Sequence, residues 1–437
     1  MISATKTQHT DESLSGHDYQ VLKEQLHRRL VASLDLAAVE DVENPAVAAE
    51  VERLTWDFID REVANRLPPI STDTRQRLFE DLQDELFRFG PLEPLLQDPS
   101  ISDILVNEPN EVYIERFGQL EKIDVRFADN DHLLRIIQRI VGLVGRRIDR
   151  ADPLVDARLP DGSRVNAVIP PLSIGSPKLS IRRFVQNKFD LDVLRAGDTL
   201  TNEMAQFLEA VVAARVSVLF SGGTGAGKTT LLSATSRAIP DDERIVTIED
   251  SAELVLQHPH VVSLETRPAN QEGCGEYSVR DLVRNSLRMR PDRIIIGEVR
   301  GAEAIDMIQA MNTGHEGSMT TVHSNGTRDA LARLELMIAM ARIDLPVETV
   351  REFIAMAIPL VVHLERLRGG ERKVTRISEY ISDGRGNIEV ADIFRFVIEG
   401  VRGGKAIGYF EATGHQPTFL ARLEQRGIRL APSIFGN

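Results

Sequence analysis

Residues 216–239, VSVLFSGGTGAGKTTLLSATSRAI, constrain the fold more than any other stretch of the chain. The apolar run 216–220 predicts a buried strand. Gly222, Gly223, Gly225 and Gly227 then predict a turn whose backbone N–H groups converge, and a helix is expected to begin at Lys228. Gly222, Gly227, Lys228 and Thr229 fill the pattern G-x-x-x-x-G-K-[ST] in the strand-to-helix context that it requires. The implied ligand is a nucleoside triphosphate. Its phosphates would lie against Gly222, Gly223, Thr224, Gly225, Ala226, Gly227, Lys228, Thr229 and Thr230, with Lys228 reaching the β and γ phosphates and the Thr229 hydroxyl ligating Mg2+.

A chain of 437 residues has room for two or three domains at roughly 100–200 residues each. The formal net charge of -14 argues against non-specific nucleic-acid binding, which depends on a basic surface that displaces counterions. Cys274 is the only cysteine, so neither an internal disulfide nor a cysteine zinc cage forms within one chain, and a reducing cytoplasm is the expected compartment. The opening MISATKTQHTDESLSGHD is polar and acidic, unlike a signal peptide. The longest strongly apolar run, 353–364, is broken by Pro359 and falls short of the roughly 20 residues that a spanning helix needs. Membrane association is expected only through a partner.

Residues 1–16 read as a disordered tail and 17–90 as a helical region. Leu22, Leu26, Leu30 and Leu34 recur every fourth residue, a second helix is expected over 45–67, and Ser71 or Thr72 can cap a third that ends at Gly90-Pro91. From 91 to 188 the period changes. Strands are expected at 101–106, 112–115, 165–169 and 178–184, with an amphipathic helix over 133–144, so this stretch reads as a small α/β domain. Across 189–437 strands and helices alternate, which predicts a parallel sheet covered by helices.

Open α/β sheets bind ligands at the carboxyl ends of their strands. Three further segments place chemistry there. Residues 293–298, RIIIGE, put Glu298 at the end of an apolar strand, where it could orient or deprotonate an attacking water and contribute to Mg2+ binding. Residues 244–250, RIVTIED, end in Glu249 and Asp250, two more candidates for holding the metal or its waters. A glycine-flanked stretch, GHEGSMTTVH, ends in His323, a candidate sensor of the γ phosphate, whereas His315 reads equally well as structural.

Taken together, TIEDSAEL, the run from Arg280 through RMRPDRIIIGEVRGAEAIDMIQAMNTGHEGSMTTVHSN, and RDALARLELMIAMA resemble the secretion ATPase superfamily, most closely its CpaF/TadA type. The resemblance extends from about Leu86 onward. It implies a homo-hexameric ring of two-domain subunits, with ATP between an N-terminal domain and a RecA-like motor domain, driving pilus assembly or secretion through an inner-membrane platform protein. By that likeness Lys228 and Thr229 are Walker A residues, Glu249 and Asp250 form the Asp box, Glu298 is the Walker B glutamate and His323 the His-box histidine. The segments ARLPDGSRVNAVIPP and LSIRRF offer Arg158, Arg164, Arg182 and Arg183 from the N-terminal domain. Arg284, Arg288 and Arg290 are candidates for reaching phosphate, in the same or the neighbouring subunit. Two departures stand out: the paired C-x-x-C motif of many related ATPases is absent, and Asn325-Gly326-Thr327 replaces the usual turn after His323.

Two other classes of function compete with a motor. RecA-like rings also drive nucleic acid, although the acidic balance and the lack of aromatic-basic stripes count against translocation here. A ring that binds nucleotide without hydrolysing it is the other, and Glu298 speaks against it.

Overall fold

The computed structural model describes residues 19, 21–23, 25–26, 29–30, 45–64, 70–116, 118–184, 190–267, 269 and 274–436. The expected tail, residues 1–16, and Leu34 lie outside them. The chain divides into two compact units, Met1–Val185 and Gln186–Asn437.

In the first unit the described residues between 19 and 30 are helical, and Tyr19, Leu22, Leu26 and Leu30 are buried with Ile59, Val63, Leu78 and Leu82. Helices Pro45–Val63 and Thr72–Phe87 supply the latter four. Ser71 starts the second of these by accepting the Thr74 N–H at 3.2 Å, which satisfies one of the donors that a helix start leaves open. Six strands follow: β1 (Ile101–Glu108), β2 (Glu111–Arg116), β3 (Gln119–Ile123), β4 (Leu154–Arg158), β5 (Arg164–Val168) and β6 (Lys178–Arg182). They form an antiparallel sheet in the order β3-β2-β1-β6-β5-β4. Alternate residues, among them Ile104, Val112, Val165 and Ile181, pack on the apolar stripe of helix Asn130–Gly142, made by Leu133, Ile136, Ile137 and Ile140.

The second unit contains β7 (Val218–Gly222), β8 (Ile245–Glu249), β9 (Val261–Glu265), β10 (Arg293–Val299), β11 (Met319–His323), β12 (Leu360–Arg366), β13 (Arg372–Ser382), β14 (Ile388–Arg402) and β15 (Lys405–Ala412). All nine join one sheet, ordered β15-β14-β13-β12-β7-β11-β10-β8-β9. The six strands from β12 to β9 run parallel, as the alternating pattern predicts. The last three do not. β13, β14 and β15 extend the sheet as an antiparallel meander, because turns of a few residues join them and a parallel return needs a crossover of a dozen or more.

β7 is buried along its whole length. Val218 and Phe220 face a core that includes Met204, Phe207, Leu208 and Leu231, while Leu219 faces the opposite core with Val246, Ile248 and Ile296. Burial on both sides fixes the register of this strand and therefore the position of the loop at its end.

Candidate functional site

The loop after β7 is shaped from both sides. A Cβ on Gly222 would collide with the carbonyl oxygen of Leu364 on β12, so the strand end approaches its neighbour more closely than any side chain permits. Gly225 adopts φ +70°, a left-handed conformation that glycine reaches without steric cost. Gly222→Ala is therefore expected to destabilise this unit by about 1–3 kcal/mol through overpacking. Calorimetry would read this as a lowered unfolding midpoint, and an unchanged midpoint would mean that the two strand ends separate freely.

Helix Lys228–Ser236 starts with Gly227 at its cap position and no capping side chain, so its first N–H groups stay available to an anion. Lys228 Nζ donates to the carbonyls of Gly222 and Gly223, each at 3.1 Å, and so lies across the loop. Burial pulls the Lys228 ammonium below its ordinary value; the Glu298 carboxylate acts in the opposite direction and Arg300 adds to the lowering. Glu298 and Arg300 are therefore the charges whose field reaches Lys228.

Glu298 lies on β10 near its carboxyl end, with β11 between β10 and β7. Its Oε2 accepts from Arg300 Nε at 2.8 Å and Nη2 at 2.5 Å, and Arg300 Nη1 lies 3.6 Å from Asp250 Oδ2. Burial opposes the charge on Arg300, yet the bonds to Glu298 and the charge of Asp250 hold its guanidinium above the ordinary value. Glu303 fixes this arginine from below, its Oε1 accepting the N–H groups of Arg300 and Gly301 at 2.7 and 2.8 Å. Arg300 is a residue that sequence reasoning missed; its position two residues after Glu298 was the available signal.

Glu249, expected to hold the metal or its waters, is engaged with the backbone in this structure. It is buried, and its carboxylate accepts the backbone N–H groups of Glu253 and Leu254 at 3.0 Å each. Gly297 makes room for it, since a Cβ there would lie 2.8 Å from Glu249 Cγ. The carboxylate therefore shapes the turn after β8, and Asp250 is the acid left half-exposed beside Arg300. His323 pairs in register with Gly222 across β11 and β7, which brings it to the root of the loop, and the Ser324 N–H donates to the Gly222 carbonyl at 3.3 Å. His315 instead lies with Nδ1 3.3 Å from the Ala310 carbonyl, at the end of helix Glu303–Asn312.

The arginines sort themselves by strand geometry. Arg158, Arg164 and Arg182 are cross-strand partners on β4, β5 and β6, and Asp103 on β1 continues the row. Directly paired residues share a face, so the three arginines lie on the side of the first unit's sheet away from its apolar core. Arg183, one residue on, does not join them. Its Nη1 donates to the carbonyls of Asp98 and Ile101, the latter at 3.1 Å, which ties the end of β6 to the start of β1. Arg284 is likewise engaged within the chain: together with Arg280 it grips Asp306, at 2.8 and 2.6 Å. Arg288 and Arg290 are exposed, and Arg290 holds φ +56° at the turn into β10.

A nucleoside triphosphate with Mg2+ fits this donor set. The loop offers uncapped N–H groups and an ammonium to phosphates, and Thr229, Asp250 and Glu298 offer the hard oxygen atoms that Mg2+ prefers. A phosphate loop on an interior parallel strand, facing an acid two strands away, defines a RecA-like P-loop protein. Residues 85–371 match the type II/IV secretion system protein family, and the chain belongs to that family. Putative conjugal transfer proteins from two strains of Mycobacterium tuberculosis are 41% identical to it over 319 residues, which is 72% of this chain and 90% of theirs. The type IV secretion system protein VirB11 of Brucella suis is 33% identical over 305 residues, covering 64% of this chain and 84% of its own. Among solved structures, the ATPase DotB of Legionella pneumophila is 25% identical with a TM-score of 0.48, over 66% of this chain and 79% of its own. No helix of the described residues is long and apolar enough to cross a membrane.

Proposed function

We propose that the chain is a Mg2+-dependent ATP hydrolase that works as a homo-hexameric ring at the cytoplasmic face of the inner membrane and drives a pilus-assembly or secretion machine of the CpaF/TadA type. The observation that carries this reading is the strand order, which sets Lys228 just after β7 and Glu298 near the end of β10 with only β11 between the two strands, at a helix start whose first N–H groups have no side-chain cap. Lys228 would exchange its bonds to the loop carbonyls for bonds to phosphate oxygens. Glu298, released from Arg300, would hold and deprotonate the attacking water, and His323 would register the γ phosphate from the neighbouring strand. Bound Mg2+ would neutralise charge on the β and γ phosphate oxygens, held by the Thr229 hydroxyl and by Asp250 and Glu298 directly or through water. Arg158, Arg164 and Arg182 are assigned to nucleotide phosphates. The trans-acting arginine is assigned to Arg288 or Arg290, because Arg284 already has Asp306.

Arginine fingers contribute roughly 10³–10⁵ in rate in well-studied nucleotide hydrolases, so a ring enzyme is expected to be slow as a monomer. Hydrolysis measured across protein concentration, with light scattering on the same samples, tests this directly. Specific activity that rises as hexamers form supports the ring. Activity that is flat and tied to monomers rules out a site shared between subunits.

The names of the relatives favour a second reading of the machine served. Two of them are putative conjugal transfer proteins, and a Rhizobium radiobacter relative at 33% identity is the conjugal transfer protein TrbB. Deleting the gene and scoring both surface pili and conjugal transfer separates the two machines.

A further inference from the structure

Within the phosphate loop the Ala226 N–H donates to the Gly223 carbonyl at 3.3 Å, and a contact from outside the loop holds the other side of the same peptide. Gly225 is the crest of the phosphate loop and sits at φ +70°, where rotation of the following peptide meets little resistance. Its carbonyl oxygen accepts a bond from Arg372 Nε at 2.9 Å. Because a peptide group is planar, holding that oxygen also fixes the direction of the Ala226 N–H on the other side of the plane.

Arg372 is the first residue of β13 and owes its position to the tight turn that precedes it. The Leu367 N–H donates to the Glu371 carbonyl at 2.7 Å and the Gly370 N–H to the Leu367 carbonyl at 3.0 Å. β12, the strand that enters this turn, is bound to β7 just below the loop. His363 Nδ1 lies 2.8 Å from Ser221 Oγ, with both side chains buried, and His363 Nε2 lies 3.5 Å from Glu365 Oε1. The β12–β13 hairpin therefore grips the phosphate loop at its root through His363 and Leu364 and at its crest through Arg372.

We infer that Arg372 is a positioning residue for nucleotide binding, acting through the Gly225 carbonyl, with the β12–β13 hairpin as its rigid mount. The inference rests on the reading of the loop as a nucleotide site. A charge-assisted bond to a carbonyl is strong enough that its loss lowers affinity roughly tenfold if the bound loop requires this peptide orientation. Arg372→Met removes the donor and keeps the aliphatic stem that lies over Gly227. Arg372→Lys restores a donor, and one carbonyl does not need the guanidinium fork.

The test measures ADP affinity with a fluorescent analogue, amide hydrogen exchange across residues 222–228 without nucleotide, and the unfolding temperature of the full chain. Arg372→Met is expected to bind about tenfold more weakly, to exchange faster in the loop and to unfold at the wild-type temperature, with Arg372→Lys recovering both affinity and protection. Unchanged exchange and affinity in Arg372→Met would overturn the inference, as would equal losses in the two variants. If the wild-type chain itself fails to bind nucleotide, the reading of the loop fails, while hydrogen exchange still decides whether Arg372 pins it.

Discussion

Lys228→Ala is expected to lose tight nucleotide binding, whereas Glu298→Gln keeps binding and stops turnover. The two side chains stand at strand ends separated only by β11, and on the proposed reading they meet different parts of the chemistry. Lys228 brings a partly buried positive charge to phosphates already surrounded by loop N–H groups, so its loss falls on the bound state as a whole. Each charge-assisted bond removed is worth roughly 1.5–3 kcal/mol, which puts the loss of affinity at tenfold to more than a hundredfold. On the proposed reading Glu298 acts on the water. Replacing the carboxylate with an amide preserves its shape and removes its basicity, for which losses of about 10²–10⁴ in turnover are typical. Equilibrium binding and single-turnover hydrolysis on the two variants separate these roles. Equal loss of binding in both would show that Glu298 is needed to build the site rather than to run it.

A second large effect is expected far from the loop, at the opposite end of β10. Arg293 is fully buried, with Nε 2.5 Å from Glu243 Oε2, Nη2 3.2 Å from Glu243 Oε1 and Nη1 3.2 Å from the Gly317 carbonyl. Arg215 donates to the same Glu243 at 2.9 Å and reaches Asp292 at 3.3 Å. Burial acts to neutralise Glu243, but the two arginines hold its carboxyl below the ordinary value. Glu243→Gln leaves a buried guanidinium without its counter-charge, a defect that costs about 3–5 kcal/mol. Calorimetry of the second unit's transition reads it. The double variant Glu243→Leu with Arg293→Met replaces the charged pair by apolar groups and is expected to regain most of the loss. A double variant no more stable than the single one would place the cost in packing instead.

The parts of this fold that could be read in the sequence are those that bury a regular pattern. β7 and the helix after it follow from one motif, and the apolar runs of β8, β10 and β11 place Glu249, Glu298 and His323 at strand ends. The edges were harder. β3 is exposed along almost its entire length and carries no apolar alternation, while β9 closes the far side of its sheet as a five-residue strand whose alternation, Val262 and Leu264 against Ser263 and Glu265, is too short to distinguish it from a loop. The antiparallel strands after β12 were hidden for another reason: the alternation of strand and helix up to Leu360 gives no sign that the pattern then stops.

Site residues defined by a partner rather than by a motif were also hard to read. Arg372 bonds to Gly225 across 147 residues of sequence, which no local pattern marks, whereas Arg300, on which Glu298 and Asp250 converge, had only its place two residues after Glu298 to mark it. Arg182 and Arg183 illustrate a signal that was present. Neighbours on a strand face opposite ways, so at most one of the pair could join Arg158 and Arg164.

The meander β13–β15 gives the sheet a mechanical property. Neighbouring strands in a sheet turn by roughly 20–25° relative to one another, and four steps separate β7 from β15, so the twist accumulates along the ribbon. The far end of the ribbon is also stitched back to the near end. The Ala406 N–H donates to the Arg368 carbonyl at 2.8 Å, and Lys405 Nζ lies 3.7 Å from Glu371, next to Arg372. Strain at the loop's crest therefore has a short path to β15 through one turn and a long path through three strands, and the two meet on the same residues, as the arms of a bell crank meet at its pivot.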